Sequence, residues 1–470
     1  MDNLSGILDN KGTPLEKQKF TWKEMAGKPI SKLDDDAFTR VRIILMNGIE
    51  TDALRLKHGI ARITGQLRGP LAEIRRVEQH QATMVNWLIS ADHSPLETTV
   101  AYEQVAIEVT AAVAQTEPDP YQAQTYRFGL LEDFDHLYRY SAMLDRLEGK
   151  DANNILQGYT DIVPGRQTSE HHRHPDNDLR ESYEKEQAAL ITKIHAAMIT
   201  AAEFQTHDYY MNIGPLFADP LARQLYAEIA SVEEQHVTQY GSLADPQESF
   251  MEKWLVHEAM EVYAYASCAE QETNPRIKAM WERFLDYELG HLTVACEHFK
   301  NIERRDPAEI LGGPLPKMIE FKSQREFVRQ VLAAEVNLRS SGTQYVDKSE
   351  EPQNSLDYRA QLNSEGIASN IVSAGYQWAP GGELMKMRKV GKFSKAGHQF
   401  HWRTDVAEGH QKPARGGQRY PSGCTGRLQR HDAGAHGPCR RSRSYRFGTG
   451  ARLRQRDAQI DLRYGAGQEP

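Results

Sequence analysis

Two segments, Glu233-Glu-Gln-His236 and Glu288-Leu-Gly-His291, each place a carboxylate and an imidazole three residues apart, and each follows another glutamate, Glu203 or Glu258, by 30 positions. On a helix, residues i and i+3 share a face, so such a pair can address one ion while its carboxylate reaches a second. The surrounding pattern is helical. Ala196, Ile199, Glu203, Thr206 and Tyr210 form one seam, and Leu225, Ile229, Glu233, His236 and Tyr240 another. Trp254, Glu258, Glu261, Tyr265 and Cys268 form a third, and Trp281, Phe284, Glu288, His291 and Ala295 a fourth. Each carboxylate therefore falls where a core side chain belongs. A lone ionised carboxylate is costly to bury, whereas several converging on a pair of cations are compensated.

The chain repeats this arrangement. A shift of 155 residues superposes Glu103 on Glu258, Asp133 on Glu288, His136 on His291, Glu78 on Glu233 and Gln81 on His236. Glu50 matches Glu203 after a two-residue slip, and a first copy is traced over about residues 36 to 147. The pattern is a tandem duplication of a four-helix unit. In the first copy an amide replaces one imidazole, and Asp133 reaches one methylene less far than glutamate. Glu50, Glu78, Gln81, Glu103, Asp133 and His136 are accordingly the weaker ligand candidates, holding one metal, two or none. Glu203, Glu233, His236, Glu258, Glu288 and His291 are the strong ones.

Helix starts fall where the seams require them. Asp119-Pro120, Asp219-Pro220 and Asn274-Pro275 read as a capping residue followed by proline at the first helical position. Ser94-Pro-Leu-Glu97 and Ser249-Phe-Met-Glu252 read as capping boxes, nine residues before Glu103 and Glu258.

At these residues the chain resembles the ferritin-like di-iron carboxylate family, and rubrerythrin within it. The resemblance implies an all-α fold of tandem ferritin-like four-helix bundles with an irregular C-terminal extension. It also implies two ions, Fe or Fe/Mn, and an oxidoreductase reducing peroxide or dioxygen. A ferroxidase or iron-handling protein, and a non-enzymatic helical scaffold, are the alternatives. In this reading Glu233 and Glu288 bridge or chelate, Glu203 and Glu258 are terminal, and His236 and His291 each cap one ion. Glu261, one turn beyond Glu258, matches rubrerythrin's extra carboxylate and is the catalytic candidate; the other reading makes it a hydrogen-bond partner of the ligands. No Cys-x-x-Cys occurs, so electrons are expected from a separate donor. One family feature conflicts with the sequence. The second helix is expected to reach about Ala91 and the third to begin near Ser94, yet a crossover between parallel helices must span about 30 Å, and three extended residues cover about 10 Å. Up-down-up-down and crossover topologies both stay open.

Composition bounds the remainder. At 470 residues two or three domains are expected, here an N-terminal extension (1–35), a first bundle (36–150), a linker with a second bundle (151–310), a helical or irregular extension (311–390) and a tail (391–470). One helix is expected from Ser323 to Asn337, and a long one from near Asp176. The tail holds 16 Lys+Arg against 6 Asp+Glu and is glycine-rich, which predicts disorder. The net charge of −8 and the acidic body oppose nucleic-acid and membrane affinity. A cytoplasmic homo-oligomer is expected. Glu170-His-His-Arg-His174 reads as a polar linker, with surface metal binding as the alternative. Cys268 and Cys296 read as core residues.

Overall fold

In the computed structural model the described residues are 10–89, 91–312 and 317–382. The expectations for the tail, 391–470, fall outside them. Helices dominate, and the long ones are α1 (Ala37–Ile63), α2 (Arg68–Asn86), α3 (Pro95–Thr116), α4 (Pro120–Glu148), α5 (Leu190–Ile213), α6 (Pro220–Gly241), α7 (Phe250–Gln271) and α8 (Pro275–Glu303). No helix among the described residues is long and apolar enough to cross a membrane.

Local chemistry sets the helix ends. Asp119 accepts from Tyr121 N at 2.8 Å and Gln122 N at 3.1 Å, and Asp219 accepts from Ala222 N at 2.9 Å. Ser94 and Glu97 exchange bonds of 3.2 and 2.8 Å, as do Ser249 and Glu252 at 3.1 and 2.8 Å. Each cap satisfies donors that the helix leaves open and contributes about 1 kcal/mol. Two boundaries differ from expectation. Helix α2 stops at Asn86, short of Ala91. Helix α5 starts at Leu190, and the chain before it pairs instead with the turn after α6: Arg180 N donates to Ser242 Oγ at 2.8 Å and Tyr183 N to Leu243 O at 2.9 Å.

The helices pack as hairpins, α1–α2, α3–α4, α5–α6 and α7–α8. The hairpins combine across residue 150. One apolar cluster joins Ile60, Leu71 and Ile74 of α1 and α2 to Trp254, Leu255, Leu289, Leu292 and Phe299 of α7 and α8. The other group joins α3–α4 to α5–α6. Thr99 and Tyr226 hydroxyls lie 2.6 Å apart, and the Tyr140 and Tyr210 rings have centroids 5.2 Å apart, as have Tyr126 and Tyr240 at 5.7 Å. Each group thus takes one hairpin from each sequence repeat. This exchange removes the crossover conflict, since the short link between α2 and α3 passes from one group to the other and need not run the length of either.

The groups meet along α1 and α5. Gly48 permits the approach: a β-carbon there would lie 3.3 Å from Ala201 O. Gln205 Nε2 donates to Ile44 O at 2.9 Å, and Arg55 pairs with Asp208.

The segment after α8 contains α9 (Arg325–Glu335) and an antiparallel hairpin, β1 (Leu338–Ser341) with β2 (Gln344–Asp347), which the sequence reading lacked. Leu338 pairs with Asp347 and Ser341 with Gln344, and Gly342 supplies the positive φ of the turn. This segment docks on α4 and the linker before α5. Arg127 Nε binds Glu335 at 2.8 Å, and the Tyr345 ring packs 4.9 Å from Phe128.

Candidate metal centre

The described residues bring the predicted ligands together in two buried sites, each mixing the repeats. Site one, between α3–α4 and α5–α6, collects Glu103, Asp133, His136, Glu203, Glu233 and His236. Ligand atoms of Glu103, Asp133, His136 and Glu233 all lie within 4.8 Å of one another, as do those of Asp133, Glu203, Glu233 and His236. Asp133 and Glu233 belong to both sets. Site two, between α1–α2 and α7–α8, brings Glu78, Glu258, Glu288 and His291 into one such set and Glu50, Glu261 and Glu288 into another. The expected strong set is therefore divided: Glu203, Glu233 and His236 stand in site one, Glu258, Glu288 and His291 in site two. The residue types followed from the sequence, but their grouping follows hairpin pairing.

Site one holds many unsatisfied atoms. Glu103 Oε2, both Asp133 oxygens, His136 Nε2, Glu203 Oε2, Glu233 Oε2 and His236 Nδ1 are buried without a hydrogen-bond partner. Buried polar atoms are ordinarily paired, so such a concentration marks room for a missing partner. Four carboxylates and two imidazoles form an N/O set suited to iron or manganese, and the residues fit two such ions.

The electrostatics agree. Burial, with Glu233 and Asp133 nearby, holds the Glu103 carboxyl well above its usual range, and burial beside Asp133 does the same for Glu203. Burial likewise raises Asp133. Burial would raise Glu233 too, but its contacts with His136 at 3.1 Å and His236 at 3.2 Å prevail and hold it at about 2. Burial opposes a charged His236, yet Asp133, Glu132 and Glu203 outweigh it and raise the imidazole well above its usual value. Burial thus favours the neutral form of Glu103, Glu203 and Asp133, and ligation would favour the charged form.

Sequence reading missed the residues that orient this site. Glu132 accepts from His236 Nε2 at 2.7 Å and Arg173 Nη1 at 2.9 Å. Burial alone would raise Glu132, but Arg173, His171 and His236 keep it well below the usual carboxylate range. Its signal was a second acid beside Asp133, four residues before His136. Tyr210 donates its hydroxyl to Glu103. The polar linker reading of 170–174 is corrected: His171, His172 and Arg173 are buried, and the His171 ring lies 5.7 Å from that of His136. His172 ends a cavity of about 340 Å³ lined by Gln224, Glu228 and Ser231 of α6 and by Asn363 and Ala368.

Site two contains a residue that the metal pattern did not foresee. Lys57 of α1, fully buried, pairs with Glu78, with Glu258 at 2.9 Å and with Glu261 at 3.3 Å. A lysine seven residues after Glu50, on the same helix face, was the available signal. Burial would raise Glu261, but Lys57 and His257 hold it at about 2. Glu261 Oε2 lies 3.3 Å from His257 Nδ1, and Glu261 also belongs to the ligand set with Glu50 and Glu288. At site one the 155-residue shift puts Ala106 in the place of Glu261. The N-terminal segment closes site two, with Gln18 Oε1 2.9 Å from His291 Nε2. Gly290 makes room for it, since a β-carbon there would strike Thr13 O.

In comparisons with family models, curated proteins and solved structures, nothing matches this chain.

Proposed function

We propose that site one is a dinuclear metal centre of the ferritin-like di-iron kind, binding two Fe ions or an Fe/Mn pair, and that the protein is an oxidoreductase acting on the O–O bond of dioxygen or peroxide. The observation that carries this reading is the pair of overlapping ligand sets sharing Asp133 and Glu233, with buried unsatisfied atoms in each. Asp133 and Glu233 would bridge. Glu103 with His136, and Glu203 with His236, would complete the two ends. A bound Fe(II) pair supplies the two electrons that an O–O bond takes up.

The chain's own residues set the conditions. Glu132 holds the proton on His236 Nε2 and so leaves Nδ1 facing the carboxylates. Burial of the whole set excludes bulk water. Tyr210 holds a hydroxyl proton at Glu103, where a proton can be given to reduced oxygen. Ala106 leaves site one without a counterpart of Glu261.

Anaerobic Fe(II) titration of the full chain, followed by dioxygen or peroxide, tests the proposal. Two ions per chain, lost in Glu233→Ala and His236→Ala, and oxidised with growth of near-ultraviolet oxo-bridge absorption, are expected. Ions that leave after oxidation and accumulate as mineral would favour the ferroxidase reading; no binding would leave a helical scaffold.

A further inference from the structure

Site two gathers the counterpart residues of site one, yet a lysine and a glutamine of the chain itself donate into it, while Glu50 Oε2, Glu78 Oε2, Gln81 Oε1, Glu258 Oε2 and Glu261 Oε1 stay buried without a hydrogen-bond partner. The two-residue slip that puts Glu50 on Glu203 also puts Lys57 on Tyr210. The positions keep their relation across the repeats: Tyr210 donates to Glu103, and Lys57 Nζ sits 2.9 Å from Glu258, the counterpart of Glu103. An ammonium has replaced a hydroxyl. It carries three N–H donors and meets three carboxylates, Glu78, Glu258 and Glu261.

The imidazole positions are altered in the same sense. Gln81 stands at the His236 position, and its Nε2 donates to Glu288 Oε1 at 2.6 Å and Glu50 Oε1 at 3.1 Å, covering oxygens that an ion would need. His291 has both nitrogens engaged, Nδ1 at 2.8 Å from Glu288 Oε2 and Nε2 at 2.9 Å from Gln18 Oε1. In site one the counterpart of His291 is His136, whose Nε2 has no hydrogen-bond partner.

We infer that site two is a metal site closed by its own side chain: the Lys57 ammonium is its resident cation, the native protein binds no metal there, and removing Lys57 opens the site to a divalent ion. A buried charge is tolerated when it is paired and hydrogen-bonded, a condition that Lys57 meets. The comparison with site one rests on the reading above, but the test is separable from it.

Mn(II) binding is measured by electron paramagnetic resonance on the full chain carrying Glu103→Ala and His236→Ala, which removes site-one ligands. With Lys57 present no tight Mn(II) is expected. With Lys57→Met added, one or two ions should bind and be lost again in His291→Ala, and the melting temperature should rise when Mn(II) is supplied. Lys57→Tyr, the residue of the counterpart position, carries the same test should the methionine variant not fold. Tight Mn(II) binding in the Lys57-containing background that His291→Ala abolishes would overturn the inference, as would a folded Lys57 variant that binds none. Failure of the site-one proposal shows separately, as absence of binding to the otherwise unaltered protein.

Discussion

His236 Nε2 lies 2.7 Å from Glu132 Oε2, on the side of the ring away from the Nδ1 that faces Asp133 at 3.2 Å. One carboxylate thereby decides which nitrogen turns to the site, and an ion bound there would take Nδ1. Arg173 Nη1 at 2.9 Å and Arg166 Nη1 at 3.3 Å keep that carboxylate ionised. The orientation of a helix side chain thus depends on a loop, residues 160–180, that packs against it.

Replacing Glu132 with glutamine keeps its shape and removes its charge. Metal affinity at site one should fall 10- to 100-fold, because the imidazole loses its fixed tautomer. Competition with a chelating dye measures it, and an unchanged affinity would show that Glu132 serves only the two arginines.

Metal content should follow the pairing of hairpins. Asp133→Ala and Glu233→Ala, in different sequence repeats, should each abolish binding of both ions, whereas Gln81→Ala and His291→Ala should leave two ions bound. Elemental analysis of reconstituted variants checks this. Loss of metal in His291→Ala and retention in Asp133→Ala would restore the sequential grouping.

Gly129 of α4 faces the Tyr240 hydroxyl so closely that a β-carbon would occupy its place. Gly129→Ala should destabilise the protein by about 1–3 kcal/mol, as overpacked cores do, by displacing a tyrosine stacked 5.7 Å from Tyr126. The midpoint of urea denaturation reports it.

Stability should decline on mild acidification through the linker histidines. Burial, then His136 and Arg173, lowers His172 to about 4, and burial lowers His171 as well. Unfolded histidine takes up a proton near pH 6.5 while the folded protein resists it, so stability from His172 is fully present above about 6.5 and is lost as pH falls towards 4. The slope approaches about 1.4 kcal/mol per pH unit for each histidine. Chemical denaturation at pH 7, 6 and 5 should show a shallower decline in His172→Gln than in the parent protein.

The expected ligand residues, both capping boxes and the proline starts were legible because they are local: a seam repeats every three or four residues, and a cap acts within one turn. Lys57 and Glu132 were harder to find. Each is a charged residue on a helix, which sequence patterns assign to solvent, and only packing placed Lys57 among Glu78, Glu258 and Glu261 and Glu132 beneath His236. The buried histidines of the linker have no periodicity at all, and their burial comes from the loop folding back over α4 and α6.

By itself the sequence determined four helical seams, the caps at Asp219, Ser249 and Asn274, the correspondence of residues at a shift of 155, and the carboxylate and imidazole side chains the seams carry. Tertiary structure alone decided that α1–α2 joins α7–α8 while α3–α4 joins α5–α6. The reason is that duplicated hairpins present nearly equivalent apolar faces, so periodicity is satisfied by either pairing. The choice falls to long-range constraints: the short link between α2 and α3, the long connection before α5, and the match of Tyr210 to one carboxylate set and Lys57 to the other.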